Sequence, residues 1–189
     1  MISRTLIIVL VLLISACANS PRKHYFALSA AMPETSSELQ TASIQKVIGV
    51  GPIKIPEYLQ ASRISYWKTA QQLSPTDNGF WAEPLELGIT RVLALNLQAA
   101  QPNWQVMQFP WLQSQKPALV VRVDIQRLDA FPSYALLEAR VDLVDTNTGS
   151  TRSKLIRTRV DSSSDSASIA NAFSQLLQQA SSAIAPELL

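Results

Sequence analysis

The chain has 189 residues, enough for one domain with a sizeable core, and a formal net charge of only +2. This nearly balanced charge does not favour nucleic acid or a strongly anionic surface as a partner. One histidine and one cysteine argue against a transition-metal site of the usual His/Cys kind, so we expect no cofactor.

The N-terminus has the pattern of a secretory signal. Arg4 precedes an unbroken apolar run, Leu6–Ile14, that is too short to span a bilayer. The run ends in Ile14-Ser15-Ala16-Cys17, which resembles the lipobox of bacterial lipoproteins. That resemblance implies cleavage before Cys17 and lipidation of its thiol, which would explain a lone cysteine without a disulfide partner. The alternative is an ordinary signal peptide with an accidental cysteine.

These features divide the chain into three parts: a signal peptide at 1–16, a lipidated tether at 17–23 and a single periplasmic domain at 24–189. Two or three acyl chains would anchor such a protein stably. In lipoproteins of enteric-type bacteria, a residue such as Ala18 after the cysteine implies sorting to the outer membrane. The domain would then lie on the periplasmic face.

The start of the domain predicts short strands. His24–Leu28 predicts a first strand, and Ser29–Thr41, with its proline and polar residues, predicts a loop. Ile44–Ile55 is rich in valine and isoleucine, and predicts a strand with a bulge or sharp bend at Gly51-Pro52. A turn is expected at Tyr58-Leu59.

A hairpin and a helix follow. Arg63–Trp67 predicts a strand, and Ser74–Gly79 is a strong turn signal, so we expect a hairpin with a long loop that returns near Phe80. Pro84 opens a helix that should end before Pro102. This helix is apolar on more than one side, which indicates that it is well buried or covered by a partner.

The second half predicts more strands and a final helix. Trp104–Met107 predicts a short strand. An antiparallel meander with one solvent-exposed face is predicted for the three segments that follow: Ala118–Leu128, Tyr134–Val144 and Lys154–Val160.

The last helix begins near Ser162–Asp165, has an apolar stripe from Ile169 to Ile184, and is stopped by Pro186. The order of strands, helix, strands and helix predicts an α/β fold, in which helices pack on a sheet of mixed direction.

The polar residues show no catalytic arrangement. No nucleophile elbow, Ser-x-x-Lys pattern or phosphate-binding loop is present. His24 lies beside the tether and fits a solvated residue better than a general base. The carboxylates between Asp124 and Asp145 alternate with arginines, so cross-strand ion pairs explain them better than acid–base chemistry. We therefore predict that the protein is not an enzyme.

Aromatic side chains cluster in the middle of the chain, beside prolines and turns. They either fill the core and the edges of the sheet, or form an apolar surface for a partner or an acyl chain. On the second interpretation, the candidate contact residues are Tyr58, Trp67, Trp81, Pro84, Phe109 and Trp111.

Several motifs, taken together, resemble the auxiliary lipoproteins of ABC-type transport systems, the family that includes PqiC. The motifs are Ile48–Leu59, then Trp81–Leu85 followed by Arg91-Val92-Leu93 and Asn96-Leu97, and Phe109-Pro110-Trp111. His24–Leu28 fits the family's opening strand after the lipidated cysteine. The resemblance covers nearly the whole mature chain in the same order.

The resemblance implies an α/β fold similar to the N-terminal domain of TolB, with no catalytic residues. It also implies an outer-membrane lipoprotein that assists intermembrane lipid transport. Its partners would be an MCE-domain tunnel protein and that protein's inner-membrane permease component. By analogy with a ring-shaped tunnel, a homo-oligomer is a further expectation. Two other hypotheses stay open: a structural envelope lipoprotein that handles no lipid, and a periplasmic hydrolase.

Overall fold

The computed structural model describes residues 22–31 and 46–188. The predicted signal peptide, Cys17 and most of the Ser29–Thr41 loop lie outside the described residues.

Within the described part of the chain, strands and helices follow the predicted order. The strands are β1 (His24–Phe26), β2 (Lys46–Lys54), β3 (Arg63–Trp67), β4 (Leu73–Trp81), β5 (Trp104–Gln108), β6 (Leu119–Ala130), β7 (Tyr134–Asp145) and β8 (Thr151–Asp161). The helices are α1 (Leu85–Ala100) and α2 (Ser166–Ile184), and short 3-10 turns cover Glu57–Leu59, Gln113–Gln115 and Ala185–Leu188.

The strands form two mixed sheets. The larger has the order β5-β2-β6-β7-β8, with β2 parallel to both of its neighbours and the meander antiparallel. The smaller has the order β1-β4-β3. The prediction of a mixed α/β fold is confirmed, but the prediction that all strands join a single sheet was wrong. β3 cannot pair with β2, because β5 and β6 already occupy both edges of that strand.

Both helices cover one face of the larger sheet. Helix α1 contacts β2 and β5, whereas α2 contacts β7 and β8, and the two helices also touch each other. The predicted stripe of α2 is buried, with Ile169 and Leu176 fully inaccessible to solvent. Helix α1 buries Ile89 and Leu93 but leaves Leu87 exposed on its outer side, so it is covered by the domain on one side only.

The opposite face of the meander is polar, as predicted. Arg140 approaches Asp124 at 3.6 Å across the β6–β7 pair. Arg157 reaches Glu138 at 2.9 Å, and Arg127 approaches the same carboxylate at 3.8 Å. Cross-strand ion pairs therefore account for these carboxylates.

The predicted turn at Ser74–Gly79 was wrong, because these residues belong to β4. The β3–β4 turn lies earlier, where the Lys68 amide donates to the Gln72 carbonyl oxygen at 2.9 Å. Asn78 has a φ of 54°, and the register shifts between Arg63 and Ser65. The turn-forming residues thus accommodate a bulge inside the strand instead of reversing the chain.

A second irregularity lies where it was predicted. The register of β2 against β6 shifts between Val50 and Ile53, and Gly51 has a φ of 114°. This left-handed conformation favours glycine, so the bulge at Gly51-Pro52 is confirmed.

Candidate functional site

The structure divides the six candidate contact residues among three places. Tyr58, Trp67 and Trp81 line one recess beside the smaller sheet. Phe109 and Trp111 lie together on the segment that follows β5. Pro84 immediately precedes α1, and its carbonyl oxygen accepts the amide of Leu87 at 3.0 Å. Pro84 therefore has a local role in starting the helix.

The recess lies between the smaller sheet and the end of β6, is partly open to solvent, and has a cavity volume of only about 20 Å³. Its polar wall contains Asp129, which is only 4% exposed. The Tyr58 hydroxyl donates to Asp129 Oδ1 at 2.7 Å, and Arg127 Nε donates to Oδ2 at 2.8 Å. These two bonds balance the burial of the carboxylate and tie the Glu57–Leu59 turn to β6.

Tyr58 is held as a hydrogen-bond donor. Burial, together with the hydrogen bond to Asp129, raises the pKa of Tyr58 well above its usual value. A phenol with a raised pKa stays protonated at neutral pH, so it is not poised to act as a nucleophile. The Tyr58–Asp129–Arg127 chain is therefore a structural connection.

Trp67 completes the aromatic wall of the recess. Its ring meets that of Tyr58 edge-on, with centroids 5.6 Å apart. Its indole Nε1 is buried, and no side-chain or main-chain acceptor of the described residues binds it.

Trp81 belongs to the core. It is 8% exposed and stacks on Phe173 of α2, with centroids 5.9 Å apart and an interplanar angle of 20°. Of the two interpretations left open for the aromatic residues, core filling therefore describes Trp81.

The segment after β5 forms an exposed apolar surface, which we call the 109–112 surface: Phe109, Pro110, Trp111 and Leu112. Phe109 and Trp111 meet edge-on at 5.3 Å. Phe109 is 46% exposed and Leu112 is 67% exposed. The two aromatic residues were among the contact residues predicted from the sequence, but Leu112 was not, although it directly follows the Phe-Pro-Trp motif.

Two glycines of β2 position the 109–112 surface. A Cβ at Gly49 would lie 2.7 Å from the Trp111 ring, and a Cβ at Gly51 would lie 2.7 Å from Phe109 Cβ. The Phe109 amide also donates to the Val50 carbonyl oxygen at 2.9 Å. The segment therefore lies directly on the backbone of β2, on the face opposite the helices.

Residues 22–31 and 46–188 contain no group of three His, Cys, Asp or Glu side chains suited to a metal ion. Neither described helix combines the length and hydropathy that a membrane span requires. The geometry offers an exposed apolar surface that is packed against the backbone of β2, and such a surface is suited to binding.

Comparison with known protein families assigns the chain to one of them. The model of the family described as "ABC-type transport auxiliary lipoprotein component" matches residues 26–185. The chain belongs to this family. It is a family of transport lipoproteins and not an enzyme family. Comparison with curated proteins gives no match.

Two solved structures share the fold. The crystal structure of an uncharacterised protein matches with a TM-score of 0.72 at 19% identity, covering 89% of this chain and 100% of the other. A Xanthomonas campestris protein of the DUF330 family matches with a TM-score of 0.66 at 16% identity, covering 88% and 94%. The expected likeness to the TolB N-terminal domain stays a prediction.

Proposed function

We propose that this chain is an outer-membrane lipoprotein, anchored through Cys17, that docks the MCE-domain tunnel protein of an intermembrane lipid-transport system. Family membership supports an auxiliary role in transport. The lipobox-like Ile14-Ser15-Ala16-Cys17 supports the anchor. The periplasmic domain would receive the tunnel, whose inner-membrane permease component lies at its far end.

The observation that carries the docking role is the 109–112 surface. Large apolar side chains seldom remain exposed beside one another without a partner, and aromatic anchors dominate the energetics of protein interfaces. Here two aromatic rings pack against the backbone of β2, and exposed Leu112 directly follows them in the chain. A braced surface loses little conformational entropy when it binds, which favours docking.

Leu155 provides an internal comparison. It is 75% exposed on β8, an edge strand of the larger sheet. Its β7 neighbour in the register is Arg140, an ion-paired residue on the polar face, and not a second apolar side chain. A single exposed leucine needs no explanation, whereas the 109–112 surface does.

The test is a crosslinking pull-down from membranes with the tagged full-length protein and the Cys17→Ala variant. We expect the wild-type protein to fractionate with the outer membrane and to recover an MCE-domain protein, and the variant to lose both properties. Recovery of only peptidoglycan-linked or barrel proteins would instead favour a structural envelope lipoprotein. Unchanged fractionation of Cys17→Ala would contradict the anchor.

A further inference from the structure

The outer face of the smaller sheet carries a row of aromatic and basic residues. Tyr25 of β1 and Arg63 of β3 are the register neighbours of Phe80 of β4. The Tyr25 and Phe80 rings have centroids 5.9 Å apart. Lys23 Nζ lies 5.2 Å from the centroid of the Phe80 ring, and Arg63 Cζ lies 5.6 Å from it. We call Lys23, Tyr25, Arg63 and Phe80 the β1–β4–β3 row.

This row lies outside the core. The next residue after Arg63 is Ile64, and the next after Phe80 is Trp81. Both point to the other face of the sheet and are buried there. Tyr25 is 63% exposed. Side chains alternate along a strand, so the burial of one face leaves the row facing away from the helices.

The two cations of the row are available to an anionic partner. The ion pairs found in the described part of the chain involve neither Lys23 nor Arg63, although Arg63 donates one bond to the Thr76 carbonyl oxygen at 3.0 Å. This differs from the polar face of the meander, where Arg140 and Arg157 already bind carboxylates. Among the described residues no carboxylate pairs with either cation, so the row is locally basic although the charge of the chain as a whole is nearly balanced.

The row also lies next to the proposed anchor. Only six peptide links separate Cys17 from Lys23. A chain of that length spans at most about 20 Å when fully extended. Because Cys17 would carry the lipid under the proposed function, the start of β1 cannot move far from the phospholipid headgroups.

We propose that the β1–β4–β3 row is the surface of this domain that faces the membrane and binds anionic phospholipid headgroups. The inference rests on the proposed lipidation of Cys17. Lys23 and Arg63 would bind lipid phosphate, while Tyr25 and Phe80 would lie at the interface, where aromatic rings with a polar tip or a cationic neighbour are well accommodated. The row would thereby fix how the domain is oriented beneath its anchor.

The experiment uses the lipidated full-length protein with Tyr25→Cys or, as a matched control, Leu155→Cys. Each new thiol is labelled with a polarity-sensitive fluorophore, and the protein is reconstituted into vesicles of phosphatidylethanolamine and phosphatidylglycerol. Both positions are exposed, so both variants should fold. Lys23→Glu and Lys23→Arg are then added to Tyr25→Cys. Lys23 takes part in none of the ion pairs of the described residues, and the Phe80 ring that it approaches belongs to the row itself.

We expect a blue shift of the emission at position 25 and none at position 155. Lys23→Glu should abolish most of the shift, and Lys23→Arg should retain it. Flotation of every variant with the vesicles, but identical emission at positions 25 and 155, would overturn the inference while leaving the anchor intact. Absence of flotation, together with labelling of an unmodified Cys17 thiol, would overturn the proposed anchor and the inference that rests on it.

Discussion

The backbone of Gly49 supports the indole of Trp111. A Cβ atom at position 49 would lie 2.7 Å from two carbons of the ring and 2.6 Å from Pro117 Cγ. Real Cβ atoms do not approach other heavy atoms this closely, so the 109–112 surface can occupy its present place only because position 49 has no side chain. This single contact links a buried strand to the proposed docking surface.

We therefore expect Gly49→Ala to displace Trp111 and to lower the free energy of unfolding by about 1–3 kcal/mol, as overpacking does. Urea denaturation measures this loss. In a Trp111→Ala background the ring contact is gone and only the contact with Pro117 remains, so the same substitution should cost less. An equal cost in both backgrounds would contradict the role assigned to the Gly49–Trp111 contact.

Trp81→Ala is expected to act through stability and not through binding. The side chain is buried and stacks on Phe173, so its removal should cost about 3–5 kcal/mol of unfolding free energy. Phe109→Ala is the comparison, because nearly half of that side chain is already in solvent and its loss should cost less. If urea denaturation finds Phe109→Ala the more damaging change, the burial of Trp81 does not determine stability.

Tyr58→Phe is expected to destabilise the domain by about 1–3 kcal/mol, because buried Asp129 loses a hydrogen-bond donor. The control is Tyr25→Phe: Tyr25 is well exposed, and its hydroxyl has no bond to a described residue, so this change should be close to neutral. Equal unfolding midpoints for Tyr58→Phe and the wild type would show that the Tyr58–Asp129 hydrogen bond does not contribute to the stability of the domain.

Tyr58 should also affect the pH dependence of stability. Its pKa in the folded protein is raised by burial and by Asp129, whereas the unfolded chain keeps a value of about 10. The stabilisation is therefore complete below about pH 10 and is lost as the pH rises towards the folded value. Between those limits the wild type should lose stability more steeply than Tyr58→Phe, because every other titrating group is common to both proteins. If the plots of unfolding free energy against pH were parallel for the two proteins, they would contradict a contribution from the Tyr58 hydroxyl.

Asp165 caps α2 by accepting the Ser168 amide at 2.9 Å. Asp165→Ala should cost about 1 kcal/mol, whereas Asp165→Asn, which keeps a capping oxygen, should cost little at neutral pH. Hydrogen bonds from the Ser163 hydroxyl and the Ser168 amide lower the pKa of Asp165. Its contribution is thus present above the unfolded value of about 4 and is lost as the pH falls through the folded value. Acid titration should show a weaker dependence in Asp165→Asn.

The sequence predicted best those elements in which one periodicity dominates. The stripe of α2 and the alternation of β6 and β7 depend on which face is buried, so the pattern alone determines them. The turn predicted at Ser74–Gly79 was wrong because the Asn-Gly pair is compatible with a β-bulge as well as with a turn. The local backbone preference of these residues does not distinguish the two. The pairing of β3 with β4 and β1, away from the larger sheet, depends on contacts between distant residues that no local pattern specifies.

The candidate site was predictable in part for the same reason. Phe109 and Trp111 could be singled out by type, but the exposure of Leu112 depends on how β2 supports that segment. The burial of Asp129 depends on Tyr58, which is 71 positions away. Residue type therefore indicated the candidates, and only the fold separated Trp81 in the core from Phe109 at the surface.

The most direct test of the docking proposal is site-specific photo-crosslinking in intact cells. A photoreactive residue replaces Leu112 in one strain and Leu155 in another; both leucines are exposed, but Leu112 follows β5 whereas Leu155 lies on β8. We expect a crosslink to an MCE-domain protein from position 112 and none from position 155. Equal crosslinking from both positions, or a crosslink to that protein from position 155 alone, would contradict it.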